Sequence, residues 1–176
     1  MPDGESGIYW LTGLSSSGKT TLARAAGVLL ATHGVKYVIL DGDLMREGLC
    51  ADLGFSPEDR NENIRRAGEV ARLMSRQGLV CLCAFITPFR AMRDQLQARL
   101  GGAFHEIYVQ CPLEICMARD PKGFYRRANS GEVQGYTGVG APYEPPLNPE
   151  LRVETSVLTI AEATQRILEH ILRTES

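Results

Sequence analysis

Residues 13–20, Gly-Leu-Ser-Ser-Ser-Gly-Lys-Thr, fit the pattern G-x-x-x-x-G-K-[ST] in full. Gly13 and Gly18 let the backbone curl until successive N–H groups converge, which makes a cradle for phosphate oxygens. In such a cradle Lys19 reaches the β- and γ-phosphates of ATP, and the Thr20 hydroxyl ligates Mg²⁺. A second pair of chemical groups, Asp41 and Asp43, brackets Gly42. Two carboxylates there can hold the metal and accept a proton from an attacking hydroxyl. Asp41 ends an apolar run and suits the metal, while Asp43 is the better candidate base. A plain Asp-Gly turn with a helix cap is the competing reading.

Three further groups carry cations or rings. Phe55, Arg60, Asn63, Arg65 and Arg66 flank the start of a helical pattern, with Arg60 and Asn63 on one face. Thr87-Pro88 follows the most hydrophobic run in the chain. Arg119, Lys122, Arg126 and Arg127 fall within nine positions among glycines, a basic arm able to close on phosphates. Beyond them, Tyr136 between Gly135 and Thr137 can stack on a base or simply anchor a loop.

These residues need elements to hold them. Residues 8–12 read as a buried strand leading into the glycine-rich loop, and 20–30 as a helix closed by Gly34. Residues 37–40 make a second strand ending at Asp41. Ser56-Pro57-Glu58-Asp59 opens a long helix to about Gln77, by an N-cap, a first-turn proline and acids. Residues 79–86 are the third strand, 92–100 a helix, 105–110 a strand and 112–118 a short helix. From 120 to 150 no periodicity appears, and five glycines and five prolines crowd the segment. Loops of that length inside a domain are usually functional. A last short strand at 151–155 and a capping box at Thr159–Glu162 complete the pattern. Alternating strands and helices predict an α/β, three-layer P-loop NTPase-type fold, a parallel sheet with helices on both faces. One domain over 1–176, with a mobile lid at about 119–150, is expected.

Composition narrows the function. The chain has 176 residues, net charge −2 and 23% charged residues. That balance argues against nucleic-acid binding, and the longest apolar run falls far short of the roughly 20 residues of a membrane span. Residues 1–7 do not resemble a signal peptide. With no C-x-x-C and the histidines far apart in sequence, zinc spacing is absent, and the five cysteines read as reduced cytoplasmic thiols. Sixteen arginines against three lysines favour forked contacts to phosphate or sulfate. The residues therefore describe an ATP-dependent phosphotransferase with a small acceptor that they do not name.

The stretches 13–21 (GLSSSGKTT), 40–49 (LDGD with Arg46 and Gly48-Leu49) and 52–66 (DLGFSPEDR-x-ENIRR) resemble the adenylyl-sulfate kinase family. So do FITP at 85–88, RDPKGFY at 119–125, and GYTG followed by PYEPP. The resemblance implies transfer of the ATP γ-phosphate to the 3′-hydroxyl of adenosine 5′-phosphosulfate (APS), giving PAPS and ADP. It places Asp43, Arg46, Phe55, Arg60, Asn63, Ile86, Thr87, Lys122, Gly135 and Tyr136 against APS, with Phe55 and Tyr136 sandwiching its adenine. It places Ser16, Ser17 and Thr21 with Lys19 and Thr20 around ATP and Mg²⁺, and Arg119 near the ATP adenine; the Thr87 hydroxyl, among the catalytic candidates, leaves a role as phosphate acceptor open. It further implies a homodimer and a functional link to a sulfate adenylyltransferase. Leu44 departs from the usual asparagine, Thr87 from serine, Tyr136 from phenylalanine and Gly140 from an acid. A kinase of the same fold acting on another nucleotide-linked molecule, or a non-catalytic P-loop regulatory domain, are the alternatives. The second would be expected to lose Lys19, Asp43 or the arm's cations.

Overall fold

A computed structural model describes residues 4–130 and 136–175. Its centre is a five-stranded sheet in the order β2-β3-β1-β4-β5, with every pairing parallel. The strands are β1 (Ile8–Thr12), β2 (Tyr37–Asp41), β3 (Val80–Ala84), β4 (Phe104–Gln110) and β5 (Leu151–Glu154). Strand alternation divides the core into two layers. Tyr9, Leu11, Val80, Leu82, Ile107 and Val153 face α1 (Lys19–Thr32) and α7 (Ile160–Glu175). Ile8, Trp10, Cys81, Cys83 and Phe104 face α3 (Pro57–Ser75) and α4 (Arg90–Leu100). Cys81 and Cys83 thus share a face, as the alternation predicts, and all five cysteines are buried and free.

Local chemistry sets the helix ends. Ser56 caps α3 by accepting the Asp59 N–H, with Pro57 in the first turn. Thr159 and Glu162 exchange hydrogen bonds at the start of α7, the reciprocal capping box. Strand order reverses at β1, which pairs with β3 on one side and β4 on the other. In open α/β sheets a ligand crevice forms outside the carboxyl ends at such a switch point. There β1 delivers the glycine-rich loop, β2 delivers Asp41, and β3 delivers residues 85–88.

Two elements differ from the sequence expectation. Asp41 belongs to β2 and also caps a short helix, α2 (Gly42–Glu47), so the Asp-Gly turn is a strand-to-helix junction. The aperiodic segment contains α6 (Phe124–Asn129), following α5 (Leu113–Arg119). A six-residue helix makes too few turns to show a period. Within the expected lid, Glu144 is fastened to the body: its N–H donates to the Pro88 carbonyl at 2.8 Å, and Arg93 donates to its carbonyl at 2.6 Å. Among the described residues, no helix is long and apolar enough to cross a membrane.

Candidate active site

The glycine-rich loop has the backbone its sequence requires. A Cβ on Gly13 would meet the Val109 carbonyl at 2.4 Å, so only glycine lets β1 turn there. Gly18 at φ 105° and Ser16 at φ 60° complete the curl into α1. Lys19 lies 8% exposed, its ammonium donating to the Gly13 and Leu14 carbonyls at 2.9 and 2.6 Å. Burial lowers its pKa to about 8. The Ser17 hydroxyl is buried with no hydrogen-bond partner among the described residues, and Thr21 lines the cleft.

Beside the loop, the Thr20 hydroxyl donates to Asp41 Oδ2 at 2.6 Å, and Asp41 Oδ1 accepts the Asp43 N–H at 2.9 Å. The residues expected to share a metal are therefore in contact. Their donors are all oxygen, and Asp41 is 6% exposed, a hard site that fits Mg²⁺. Asp43 projects into the cleft, where Lys122 pairs with its carboxylate.

A continuous cleft of about 1050 Å³ runs past these groups. Single small-molecule sites occupy roughly 300–1,000 Å³, so this space accommodates two nucleotides. At one end Arg119 donates to the Thr155 carbonyl at 2.6 Å, and the Thr155 hydroxyl donates to the Ser17 carbonyl at 2.8 Å. Leu158 and Ile160 add an apolar wall. At the other end stand Arg46, Phe55, Arg60, Asn63, Ile86, Thr87, Lys122 and Tyr136. Gly135 lies outside the described residues.

The expected acceptor residues meet, with differences in detail. Phe55 is 65% exposed, and Arg46 covers its ring with the guanidinium 4.4 Å from the centroid. Tyr136 stacks instead on Phe124, their rings 5.7 Å apart. Arg46 donates to the Gly54 carbonyl at 2.8 Å, and Arg60 to the Phe55 carbonyl and the Thr137 hydroxyl. Burial lowers the pKa of both guanidiniums, a cost that an anion in the cleft would relieve. Asn63 is 5% exposed, with Oδ1 buried and unpartnered among the described residues. Thr87 is 1% exposed at φ 44°, and its hydroxyl accepts the Trp10 indole N–H at 2.8 Å. Its hydroxyl is thus engaged with the core.

Sequence reasoning missed Phe124, Thr155, Leu158 and Ile160, as well as Arg24, which also lines the cleft; Arg127 of the expected basic arm lines it too. Only the aromatic pair Phe124-Tyr125, inside an otherwise polar arm, gave a signal. Thr155 and Leu158 are ordinary residues after an ordinary strand, and only the fold brings them to the loop.

Residues 5–154 match the family model described as adenylylsulphate kinase. A probable adenylyl-sulfate kinase from Halalkalibacterium halodurans is 51% identical over 170 residues, covering 96% of this chain and 84% of the relative. The adenylyl-sulfate kinase of Bacillus velezensis is 49% identical over 168 residues, covering 95% and 85%. The Mycobacterium tuberculosis APS kinase CysC, solved with AMPPNP and APS, superposes with a TM-score of 0.91 at 39% identity. That match covers 96% of this chain and 98% of the other.

Proposed function

The chain belongs to the adenylyl-sulfate kinase family, and from that premise we propose how its residues turn APS and ATP into PAPS and ADP. The glycine-rich loop binds the ATP phosphates, with Lys19 leaving its two carbonyls to meet the β- and γ-oxygens. Arg119, Thr155, Leu158 and Ile160 form the nucleoside end. Thr20 and Asp41 would hold Mg²⁺, which would neutralise charge on the β- and γ-phosphates.

APS occupies the other end. Its adenine lies among Phe55, Tyr136 and Phe124, and its phosphosulfate meets Arg46 and Arg60, with Lys122 supplying further charge. Asn63 Oδ1 accepts a hydrogen bond from a hydroxyl or amino group of APS. The 3′-oxygen attacks the γ-phosphorus, the bond to the ADP oxygen breaks, and the 3′-hydroxyl proton passes to the Asp43 carboxylate. Lys122 holds that carboxylate in the structure; an anionic acceptor draws the lysine away and frees the base. Ile86 and Thr87 shape the wall, and Thr87 is a positioning residue rather than a catalytic one. A homodimer, a cytoplasmic location and a functional link to a sulfate adenylyltransferase belong to the same proposal, as does a single domain over 1–176.

The observation that carries this reading is the position of Asp43, between the Thr20–Asp41 pair and the cation- and ring-lined end of one cleft. The test is γ-³²P transfer to APS, with the labelled position assigned by a 3′-nucleotidase. Wild type should label the 3′-oxygen, and Asp43→Asn should lose roughly 10²–10⁴-fold in kcat. Label elsewhere, or an unimpaired variant, would overturn the assignment of the base.

A further inference from the structure

The opposite edge of the sheet carries a second cluster of chemical groups. His105 lies on β4, Glu150 immediately precedes β5, and His170 lies on α7. One ligand atom from each falls within 4.8 Å of the others. His105 Nδ1 is 2.7 Å from Glu150 Oε2, and His170 Nε2 is 3.7 Å from the same oxygen. His170 and His105 are 5% and 9% exposed, and among the described residues the Nε2 atoms of both lack a hydrogen-bond partner. Tyr9 fixes them, stacked on His105 at 4.9 Å and edge-on to His170 at 6.1 Å. A cavity of about 280 Å³, lined by Leu151, Arg166, Glu169, His170 and Arg173, opens beside the cluster.

We propose that His105, Glu150 and His170 form a binding site for a divalent transition-metal ion of the zinc type, separate from the kinase cleft. Two imidazoles and a carboxylate are a donor set for Zn²⁺, Co²⁺ or Ni²⁺ rather than Mg²⁺, which takes oxygens. Tetrahedral ligands at about 2.0–2.2 Å from Zn²⁺ lie roughly 3.3–3.6 Å from one another. Two of the three separations, 2.7 and 3.7 Å, bracket that range and the third lies within 4.8 Å, so side-chain shifts complete the site. Glu150 is exposed, which leaves the remaining position to water. Sequence spacing could not show this cluster, because three separate elements supply it. An ion there would tie β4, the entry to β5 and α7 together.

One contact opposes binding. The exposed Arg173 lies with its guanidinium 3.2 Å from His170 Nδ1, where it donates. Ligation through Nε2 puts the ring proton on Nδ1, so Arg173 must turn away. The test is Zn²⁺ titration of the intact chain by calorimetry, with Mg²⁺ in excess and thiols kept reduced. One equivalent should bind. His170→Gln and the surface variant Glu150→Gln should each weaken it at least roughly 10-fold, while Arg173→Ala should tighten it. Zn²⁺ should also raise Tm in wild type and not in Glu150→Gln. No saturable binding in wild type would overturn the proposal, as would equal binding in wild type and Glu150→Gln, which would put the ion on the thiols.

Discussion

Lys19 combines three properties: burial, two carbonyl partners and a pKa lowered to about 8. Polyphosphate favours its charged form and so raises that pKa on binding. ATP affinity should therefore fall as pH rises above about 8, with binding there accompanied by proton uptake. Calorimetry in buffers of different ionisation enthalpy checks this, and Lys19→Ala should flatten the profile. Stability without ligand moves the other way. Between about 8 and the ordinary 10.5 the unfolded chain holds more protons, so stability rises with pH. Asn63 makes a second residue-scale case. Its buried Oδ1 needs a donor that the described residues do not supply. Asn63→Ala should raise KM for APS roughly 10-fold while leaving KM for ATP unchanged, in steady-state kinetics. Equal effects on both would remove Asn63 from the acceptor end. Lys19 and Asp43 were legible because motif and strand position coincide. Asn63 and Phe55 were legible chiefly through family resemblance, since a polar residue on a helix face is ordinarily solvated.

At the scale of elements, Arg93 on α4 does the joining. It is 3% exposed, pairs with Glu106 on β4 at 2.6 Å, and donates to the carbonyls of Thr87 and Glu144. One side chain thus fixes α4, the wall beside the cleft and the chain leading to β5. Removing one partner of a buried pair typically costs about 3–5 kcal/mol. Arg93→Met should lose that much in urea unfolding; a loss below about 1 kcal/mol would mean the pair is not what holds the wall. Its sequence context, a basic residue in an amphipathic helix, gave no hint of burial. The strands were legible because they are short apolar runs bounded by glycines. α2 and α6 were not, since each is six residues long and is set by a neighbour: Asp41 caps one, and Gly123 turns into the other at φ 68°.

The whole molecule is an acidic chain with seven of its 19 lysines and arginines lining one cleft at the carboxyl edge of a parallel sheet. Element order and the phosphate cradle follow from periodicity and one motif, while Thr155, Leu158 and Ile160 at the nucleoside end do not. The acceptor end does not, because it is assembled from α2, α3, α6 and residues 136–137, none adjacent in sequence. Leu44, 55% exposed and lining that end, replaces a polar side chain without closing the space. APS should therefore remain the acceptor. The direct measurement is ADP release with MgATP across APS, AMP, adenosine, a cytidine nucleotide and no acceptor. Turnover with APS alone, giving a 3′-phosphorylated product, is the predicted result; turnover with another acceptor and none with APS would contradict it.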